Sequence, residues 1–141
     1  MLGQASKVTG PILTEAKKKW SRPRPYVRSP EISPVVSKPG DAGAYPSGHS
    51  FGAGIPQFIL SEAFPEHAAE LDANLRKVMR SRIVGGVHFP SDTEAGRLLA
   101  RAVVTEMIRT PAMKQAIEQI RREAAPFMIA EKPAAETKGK S

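Results

Sequence analysis

Cysteine is absent from the chain. Its absence excludes a disulfide framework, a thiolate metal site and a cysteine nucleophile. The length of 141 residues allows one domain with a hydrophobic core and is too short for two domains of ordinary size. Hydrophobic residues at 40% and charged residues at 25% are typical of a globular protein.

Long uncharged stretches are also scarce. The longest run without Asp, Glu, Lys or Arg covers residues 42–61, which reaches the length of a bilayer span. That run contains four glycines, two prolines and His49, so we predict that it does not span a membrane. The first residues, MLGQASKVTGP, lack the apolar core of a signal peptide. We therefore expect either a protein that stays inside the cell or a chain that lacks an upstream piece.

Acidic side chains are rare at the start of the sequence. Residues 1–30 contain seven lysines and arginines against Glu15 alone, and the whole chain has a formal net charge of +7. Such a cluster favours a partner with phosphate, sulfate or carboxylate groups, whether nucleic acid, a membrane surface or a small anion. Composition does not choose among the three.

Helical patterns dominate the chain, and no stretch has a strand pattern of comparable strength. Helices are predicted over residues 12–20, 48–63, 66–80 and 112–124. Another is predicted to begin with Ser91 as N-cap and Glu94 in a capping box. Its predicted core-facing residues are Ala95, Leu98, Leu99, Ala102 and Val103.

The remaining segments are predicted to be irregular. Residues 24–46 contain too many prolines and glycines for regular structure, and a loop of that length in a compact domain is usually functional or disordered. The end of the chain is polar and rich in alanine and lysine. We therefore predict one all-α domain over residues 1–125 and a polar, disordered tail over residues 126–141.

Two polar segments in the first half of the chain could bind an anion. In KKKWSRPRP, Lys17 precedes Arg24 by seven residues, although a basic helix end before a proline-rich loop is more often a solvated surface. In YPSGHS, Ser47, Gly48 and the first N–H groups of the next helix would form an anion-binding helix N-terminus. His49 could then donate a proton to a departing oxygen. The alternative is that Ser47 only caps the helix and His49 is an ordinary loop histidine.

A third segment, SRIVGGVHFPSD, contains Arg82, His88 and Asp92. Gly85 and Gly86 suit a turn that brings His88 back toward Arg82. Asp92 could accept the Nδ1 proton of His88, which would leave Nε2 facing a substrate as a nucleophile. A His–Asp pair near a helix start is also often a capping or structural pair.

The three segments together favour one kind of chemistry. They supply a lysine and two arginines to bind a tetrahedral dianion, a helix N-terminus to share its charge, and two histidines available for opposite roles. Phosphoryl transfer needs positive charge and N–H donors for the equatorial oxygens, an in-line nucleophile and an acid for the leaving group.

The order and spacing of these residues resemble a known signature. Lys17-x6-Arg24-Pro25, Pro46-Ser47-Gly48-His49-Ser50 and Ser81-Arg82-x5-His88-x3-Asp92 are similar to the tripartite motif of the phosphatidic acid phosphatase type 2 superfamily. That superfamily includes bacterial class A non-specific acid phosphatases, lipid phosphatases and vanadium haloperoxidases. An aromatic residue and a second arginine in the first block, with Tyr-Pro before Ser-Gly-His, most resemble the class A group. The resemblance covers roughly residues 10–125.

The resemblance implies a helical bundle that hydrolyses small phosphate monoesters of broad range, without a metal or another cofactor. It implies that His88 is the nucleophile that becomes phosphorylated and that Asp92 orients it. His49 would protonate the leaving group and then activate water. The phosphate would be held by Lys17, Arg24, Ser47, Gly48 and Arg82. No specific nucleic acid and no membrane span is implied.

The chain also departs from the class A pattern. Those proteins carry several helices ahead of the first motif, whereas the motif begins here at Lys17. We expect either that a homo-oligomer completes the helical core or that the chain is a fragment of a longer exported protein. The resemblance implies a periplasmic location, although this sequence shows no signal peptide. The alternatives are an inactive or incomplete relative that binds anions or nucleic acid, and a vanadate-dependent haloperoxidase.

Overall fold

The computed structural model describes residues 2–40 and 43–127, which form a bundle of α-helices with no strand in this part of the chain. The prediction of an all-α fold is confirmed, while the predicted tail lies, from residue 128 on, outside the described residues. No helix in the described part is both long and apolar enough to cross a membrane. The helices are α1 (Leu2–Trp20), α2 (Pro25–Arg28), α3 (Gly48–Ala63), α4 (Ala68–Val84), α5 (Pro90–Met107) and α6 (Pro111–Ala124), with 3-10 turns at Pro65–His67 and Ala125–Phe127.

Helix α3 lies at the centre of the bundle and contacts α1, α4, α5 and α6. Because it is covered on several sides, its sequence is apolar around most of its circumference rather than along one stripe. Its core-facing side chains pack against α5, and small residues at the crossing let the two backbones approach closely. The central buried cluster consists of Phe51, Ile55, Ile59, Ala100 and Val104.

The first helix is longer than predicted. Helix α1 begins at Leu2 rather than at residue 12 and continues through Pro11, although a proline removes one backbone donor from the helix ladder. Thr9 is only 2% exposed, and Leu13 packs against the central cluster. These contacts favour the helix on both sides of Pro11, because tertiary packing outweighs a local propensity cost.

The start and the buried face of α5 also differ from the prediction. The N-cap is Phe89 rather than Ser91, with Pro90 in the first turn, a position where its fixed φ suits a helix. Leu98 is 51% exposed and Ala102 is also exposed, although both were predicted to face the core. The buried residues of α5 are Asp92, Thr93, Gly96, Ala100 and Val104. Helix α5 therefore approaches α3 closely at Gly96 and Ala100 and packs Val104 into the central cluster.

Other boundaries agree more closely. Helices α3 and α6 match the predicted ranges, and α4 ends at Val84 rather than at residue 80. The described residues of the segment 24–46 are mostly irregular, as predicted, except for the single turn of α2, which Pro25 initiates. They lie at the end of the bundle where α1, α3, α4 and α5 bring the three polar segments together.

Candidate active site

A cavity of about 500 Å³ lies where the three polar segments meet. Leu13 and Lys17 reach it from α1, Gly48 and His49 from the first turn of α3, and the remaining residues from the connections between helices. The lining residues are Leu13, Lys17, Arg24, Pro39, Gly40, Gly48, His49 and His88. Five of the eight residues predicted for the site therefore share one cavity. None of the lining residues carries a carboxylate.

His88 is almost completely enclosed in this cavity, at 3% exposure. Its Nε2 lies 3.2 Å from a guanidinium nitrogen of Arg24. Because a guanidinium only donates hydrogen bonds, Nε2 is the acceptor and the proton of the neutral ring lies on Nδ1. Nδ1 lies 3.5 Å from Oδ2 of Asp92, a longer separation than an ordinary hydrogen bond. The lone pair of Nε2 thus belongs to the cavity side of the ring.

Asp92 is completely buried and has three polar partners. Its Oδ2 accepts the Phe89 N–H at 2.8 Å, its Oδ1 accepts from Arg22 at 2.7 Å, and the His88 ring is the third. Burial acts to raise the pKa of Asp92. The His88 ring, the Phe89 N–H and the Arg22 charge together outweigh burial and hold that pKa below its usual value. Asp92 is therefore an anion at neutral pH.

Two cationic side chains are held side by side by one carbonyl. The Gly43 carbonyl accepts from Nζ of Lys17 and, at 3.2 Å, from the Arg24 guanidinium. Arg24 is 3% exposed and also donates to the Val87 carbonyl at 2.9 Å. Lys17 and Arg24 both line the cavity, so they bring positive charge to its wall, and such charge attracts anions.

The N-terminus of α3 forms another wall of the cavity. The Ser47 hydroxyl caps the helix by accepting the Ser50 N–H at 3.3 Å, as the simpler interpretation of this segment expected. A Cβ on Gly48 would lie 3.3 Å from Leu13, so glycine suits the close approach of α1. The unpaired N–H groups of a first helical turn attract an anion. His49 follows in the same turn and is exposed.

Two predicted phosphate-binding residues do not line the cavity. Ser47 is fully buried behind it, and its N–H donates to the Asp92 carbonyl at 2.8 Å, which ties α3 to α5. Arg82 lies in the last turn of α4, and its buried Nε makes no hydrogen bond within the described part of the chain. The turn at Gly85 and Gly86 follows directly, with Gly86 at a φ of 72°. That value lies in the left-handed region, which favours glycine.

Arg22 and Gly96 were not predicted to have individual roles at the site. Arg22 was only a second arginine of the first block, yet it contacts Asp92 directly. Gly96 lies against the Ser47 carbonyl, where a Cβ would approach to 2.4 Å. Arg22 precedes Arg24 by two residues, the spacing that places side chains on one side of an extended segment. No comparable sequence signal marks Gly96.

The residues that the structure describes contain no group of three or more His, Asp or Glu side chains that could hold a metal ion. Asp92 is already paired with Arg22. The site residues thus offer cations and N–H donors rather than a ligand set.

The lowered pKa of Asp92 predicts how stability depends on pH. In an unfolded chain the pKa of an Asp is about 3.9. The pKa of Asp92 is lower in the native state, so folding favours the ionised carboxylate. The stabilisation is fully present above the unfolded pKa and is lost as pH falls through the lower native pKa. We expect Asp92→Asn to lower the urea midpoint near pH 7 and to approach the wild type near pH 3. Unfolding curves measured across this range test the expectation, and a pH-independent difference would contradict it.

Comparison with known proteins adds to this geometry. Residues 5–116 match the PAP2 superfamily. A non-specific acid phosphatase of Salmonella typhimurium is 33% identical over 114 residues, which cover 77% of this chain and 44% of the relative. A non-specific acid phosphatase of Salmonella typhi is 32% identical over 130 residues, or 87% of this chain and 51% of the relative. An acid phosphatase of Zymomonas mobilis is 32% identical over 113 residues, or 77% and 42%.

The chain spans about half the length of the curated relatives that it matches. Within that span the match includes all three polar segments and the helices that carry them. The chain therefore belongs to the PAP2, or phosphatidic acid phosphatase type 2, superfamily.

Proposed function

We propose that this protein is a metal-independent acid phosphatase that hydrolyses small phosphate monoesters of broad range through a phosphohistidine intermediate. One observation carries the proposal: the buried His88 has its Nε2 lone pair beside Arg24 on the cavity side and its Nδ1 toward the ionised Asp92. The names of three relatives, all acid phosphatases, support the reaction type.

In the first step, Nε2 of His88 attacks phosphorus in line with the ester bond. The N–P bond forms as the P–O bond to the leaving group breaks. His49, in its protonated form, gives its proton to the departing alkoxide. The ring of His88 becomes positively charged, and the Asp92 carboxylate stabilises that charge.

In the second step, water attacks the phosphohistidine. Neutral His49 takes a proton from this water, the N–P bond breaks, and phosphate leaves. His88 regains its neutral form and His49 its proton, so the cycle closes without another reactant. The exposure of His49 suits a group that must meet both a leaving group and water.

The phosphoryl oxygens are bound by charge and by backbone donors. Lys17 and Arg24 supply positive charge at the cavity wall, and the Gly48 N–H supplies a donor at a helix N-terminus. Arg82 joins them through a guanidinium whose Nε has no partner in the described part of the chain. The Ser47 hydroxyl binds a phosphoryl oxygen only by giving up part of its cap on α3.

Location and assembly follow from the same proposal. The compartment is the periplasm, as proposed from the resemblance to exported acid phosphatases. We also propose a homo-oligomer, for whose contacts exposed apolar residues on α1 and α5, such as Ile12 at 44% and Leu98 at 51%, are available. Light scattering of the purified chain measures the oligomeric state.

Hydrolysis of p-nitrophenyl phosphate at pH 5 to 7 tests the proposal. We expect turnover that persists with EDTA and is inhibited by vanadate, which resembles the transition state. A folded chain without turnover would contradict the proposal. Bromide or chloride oxidation with added vanadate would indicate a haloperoxidase instead, and salt-sensitive DNA binding without turnover would indicate a binding module.

Substitution of His49 tests the leaving-group role. His49→Ala should lower kcat for an alkyl phosphate by roughly 10²- to 10⁴-fold, because a poor leaving group needs a proton. With p-nitrophenyl phosphate the first step should survive, so a burst of about one nitrophenol per site should precede slow turnover. Rapid-mixing absorbance measures the burst. The absence of a burst with p-nitrophenyl phosphate would contradict the assignment.

A further inference from the structure

Arg22 joins two distant parts of the chain at the candidate active site. It lies between α1 and α2, and one guanidinium nitrogen donates to Oγ of Ser91 and to Oδ1 of Asp92, each at 2.7 Å. The Arg22 side chain is 30% exposed, whereas Asp92 is fully buried. Arg22 is not among the residues that line the cavity. Its side chain therefore contacts the site through Asp92.

The orientation of the Arg22 guanidinium is set by the ring of Phe89. The central carbon of the guanidinium lies 4.3 Å from the ring centroid. The N–H of the same Phe89 donates to Oδ2 of Asp92 at 2.8 Å. A planar guanidinium stacked on an aromatic face has a restricted orientation, which a lysine would not reproduce.

The two oxygens of Asp92 have different partners. Oδ1 accepts from Arg22, and Oδ2 accepts the Phe89 N–H and faces Nδ1 of His88 at 3.5 Å. A carboxylate held at Oδ1 cannot rotate freely about its last side-chain bond. Its Oδ2 therefore stays toward His88.

We propose that Arg22 is a positioning residue that acts on phosphoryl transfer by orienting the Asp92 carboxylate toward His88. The proposal rests on the proposed function, since it assigns a reaction role to His88. The simpler alternative is that Arg22 only ties the segment before α2 to the start of α5. The two roles predict different effects of substituting Arg22 on the pKa of Asp92 and on the NMR signals of the His88 ring.

The charged groups that face Asp92 in the described part of the chain are Arg22, from the segment after α1, and His88, from the segment before α5. Arg24 lies beyond the His88 ring. Burial opposes ionisation of Asp92, while His88, the Phe89 N–H and Arg22 favour it and lower its pKa. Removal of the Arg22 charge should therefore raise the pKa of Asp92 toward its ordinary value.

The test compares Arg22→Gln and Arg22→Lys with Arg28→Gln. Arg28 is a matched control because its guanidinium also lies over the Phe89 ring, at 6.0 Å, but has no bond to Asp92. For Arg22→Gln we expect kcat to fall about 10- to 100-fold with a small change in KM. The acid limb of kcat/KM should move to higher pH. Arg22→Lys should restore the acid limb and part of kcat, and Arg28→Gln should match the wild type.

Two activity results would overturn the proposed role of Arg22 without contradicting the proposed phosphatase activity. The first is an Arg22→Gln variant with the kcat and acid limb of Arg28→Gln. The second is an equal loss of kcat in Arg22→Gln and Arg22→Lys together with lowered thermal midpoints, which would make Arg22 a structural tie only. If Arg22→Gln does not fold, the NMR shift of the His88 Nδ1–H in Arg22→Lys decides, because lysine does not reproduce the guanidinium orientation; a shift equal to that of Arg28→Gln would overturn the proposal.

A nitrogen NMR measurement tests the proposal even if the wild type shows no turnover, a result that would count against the proposed function alone. The chain has three histidines, so the His88 signals can be assigned with His49 and His67 variants. We expect Arg22→Gln, but not Arg28→Gln, to change the shift and the water-exchange rate of the His88 Nδ1–H. Identical spectra for both variants would overturn the positioning role.

Discussion

His88→Ala should lower kcat/KM for p-nitrophenyl phosphate by roughly 10⁴-fold or more, because it removes the atom proposed to form the covalent bond to phosphorus. The expected loss is larger than for any cation of the cavity, since several groups would share the phosphate charge, whereas the proposed nucleophile is the single atom Nε2. In the wild type, labelled substrate stopped in alkali should leave an alkali-stable, acid-labile phosphate on the protein. His88→Ala should leave none.

His67→Ala is the matched control for this experiment. His67 lies at the end of the Pro65–His67 turn, away from the candidate site; its side chain is 46% exposed, and its Nδ1 lies 3.9 Å from a carboxylate oxygen of Glu70. Its removal should change neither the turnover nor the labelling. A labelled protein that survives His88→Ala, or turnover within tenfold of the wild type, would show that another group attacks phosphorus.

Gly96→Ala is the second substitution with a large expected effect. A Cβ at this position would lie 2.4 Å from the Ser47 carbonyl oxygen, 3.0 Å from Cβ of Ser50 and 3.1 Å from the Phe51 nitrogen. Two of these atoms are backbone, so relief requires a shift of the first turn of α3. We expect a stability loss of roughly 1–3 kcal/mol. Because that turn carries Gly48 and His49, kcat/KM should fall as well.

Gly52→Ala provides the comparison. Gly52 lies in α3, one turn after Gly48, and faces open space: a Cβ built there would have no atom within 4 Å beyond its own stretch of helix. In an exposed helix interior, alanine should raise stability by roughly 0.5–1 kcal/mol. Urea unfolding and p-nitrophenyl phosphate hydrolysis measure both variants. A Gly96→Ala protein as stable and as active as Gly52→Ala would contradict the packing argument.

The local signals in the sequence account for much of the fold. The apolar run at residues 48–63 and the amphipathic pattern at 112–124 predicted α3 and α6 closely, because a continuous apolar run suits a helix that is covered on several sides and an amphipathic pattern suits a helix buried on one face. The start of α1 was predicted wrongly because local sequence preferences and tertiary packing disagree there. Pro11 and Gly10 disfavour a helix locally, and only the packing of Thr9 and Leu13 on the bundle overrides them.

Helix α5 shows why a hydrophobic pattern can mislead. Leu98, Leu99 and Val103 give the stronger apolar stripe, yet Gly96 and Ala100 lie at the contact with α3. The free energy of a close helix crossing depends on how nearly the backbones approach, which the hydrophobicity of single residues does not report. The same limit applies to Gly96, whose role exists only because the Ser47 carbonyl lies opposite.

The residues of the candidate site could be named from their order and spacing, since the chemistry of phosphate demands cations, N–H donors and imidazoles in a recognisable pattern. Their arrangement could not. Lys17 and Arg24 share the Gly43 carbonyl, and the Ser47 hydroxyl caps a helix. Arg22, which does not line the cavity, binds Asp92. All three arrangements result from the way α1, α3 and α5 pack. Residue types and their spacing are properties of the sequence. Hydrogen-bond partners that lie 70 residues apart, such as Arg22 and Asp92, are determined only by the tertiary packing of the helices, which brings them into contact.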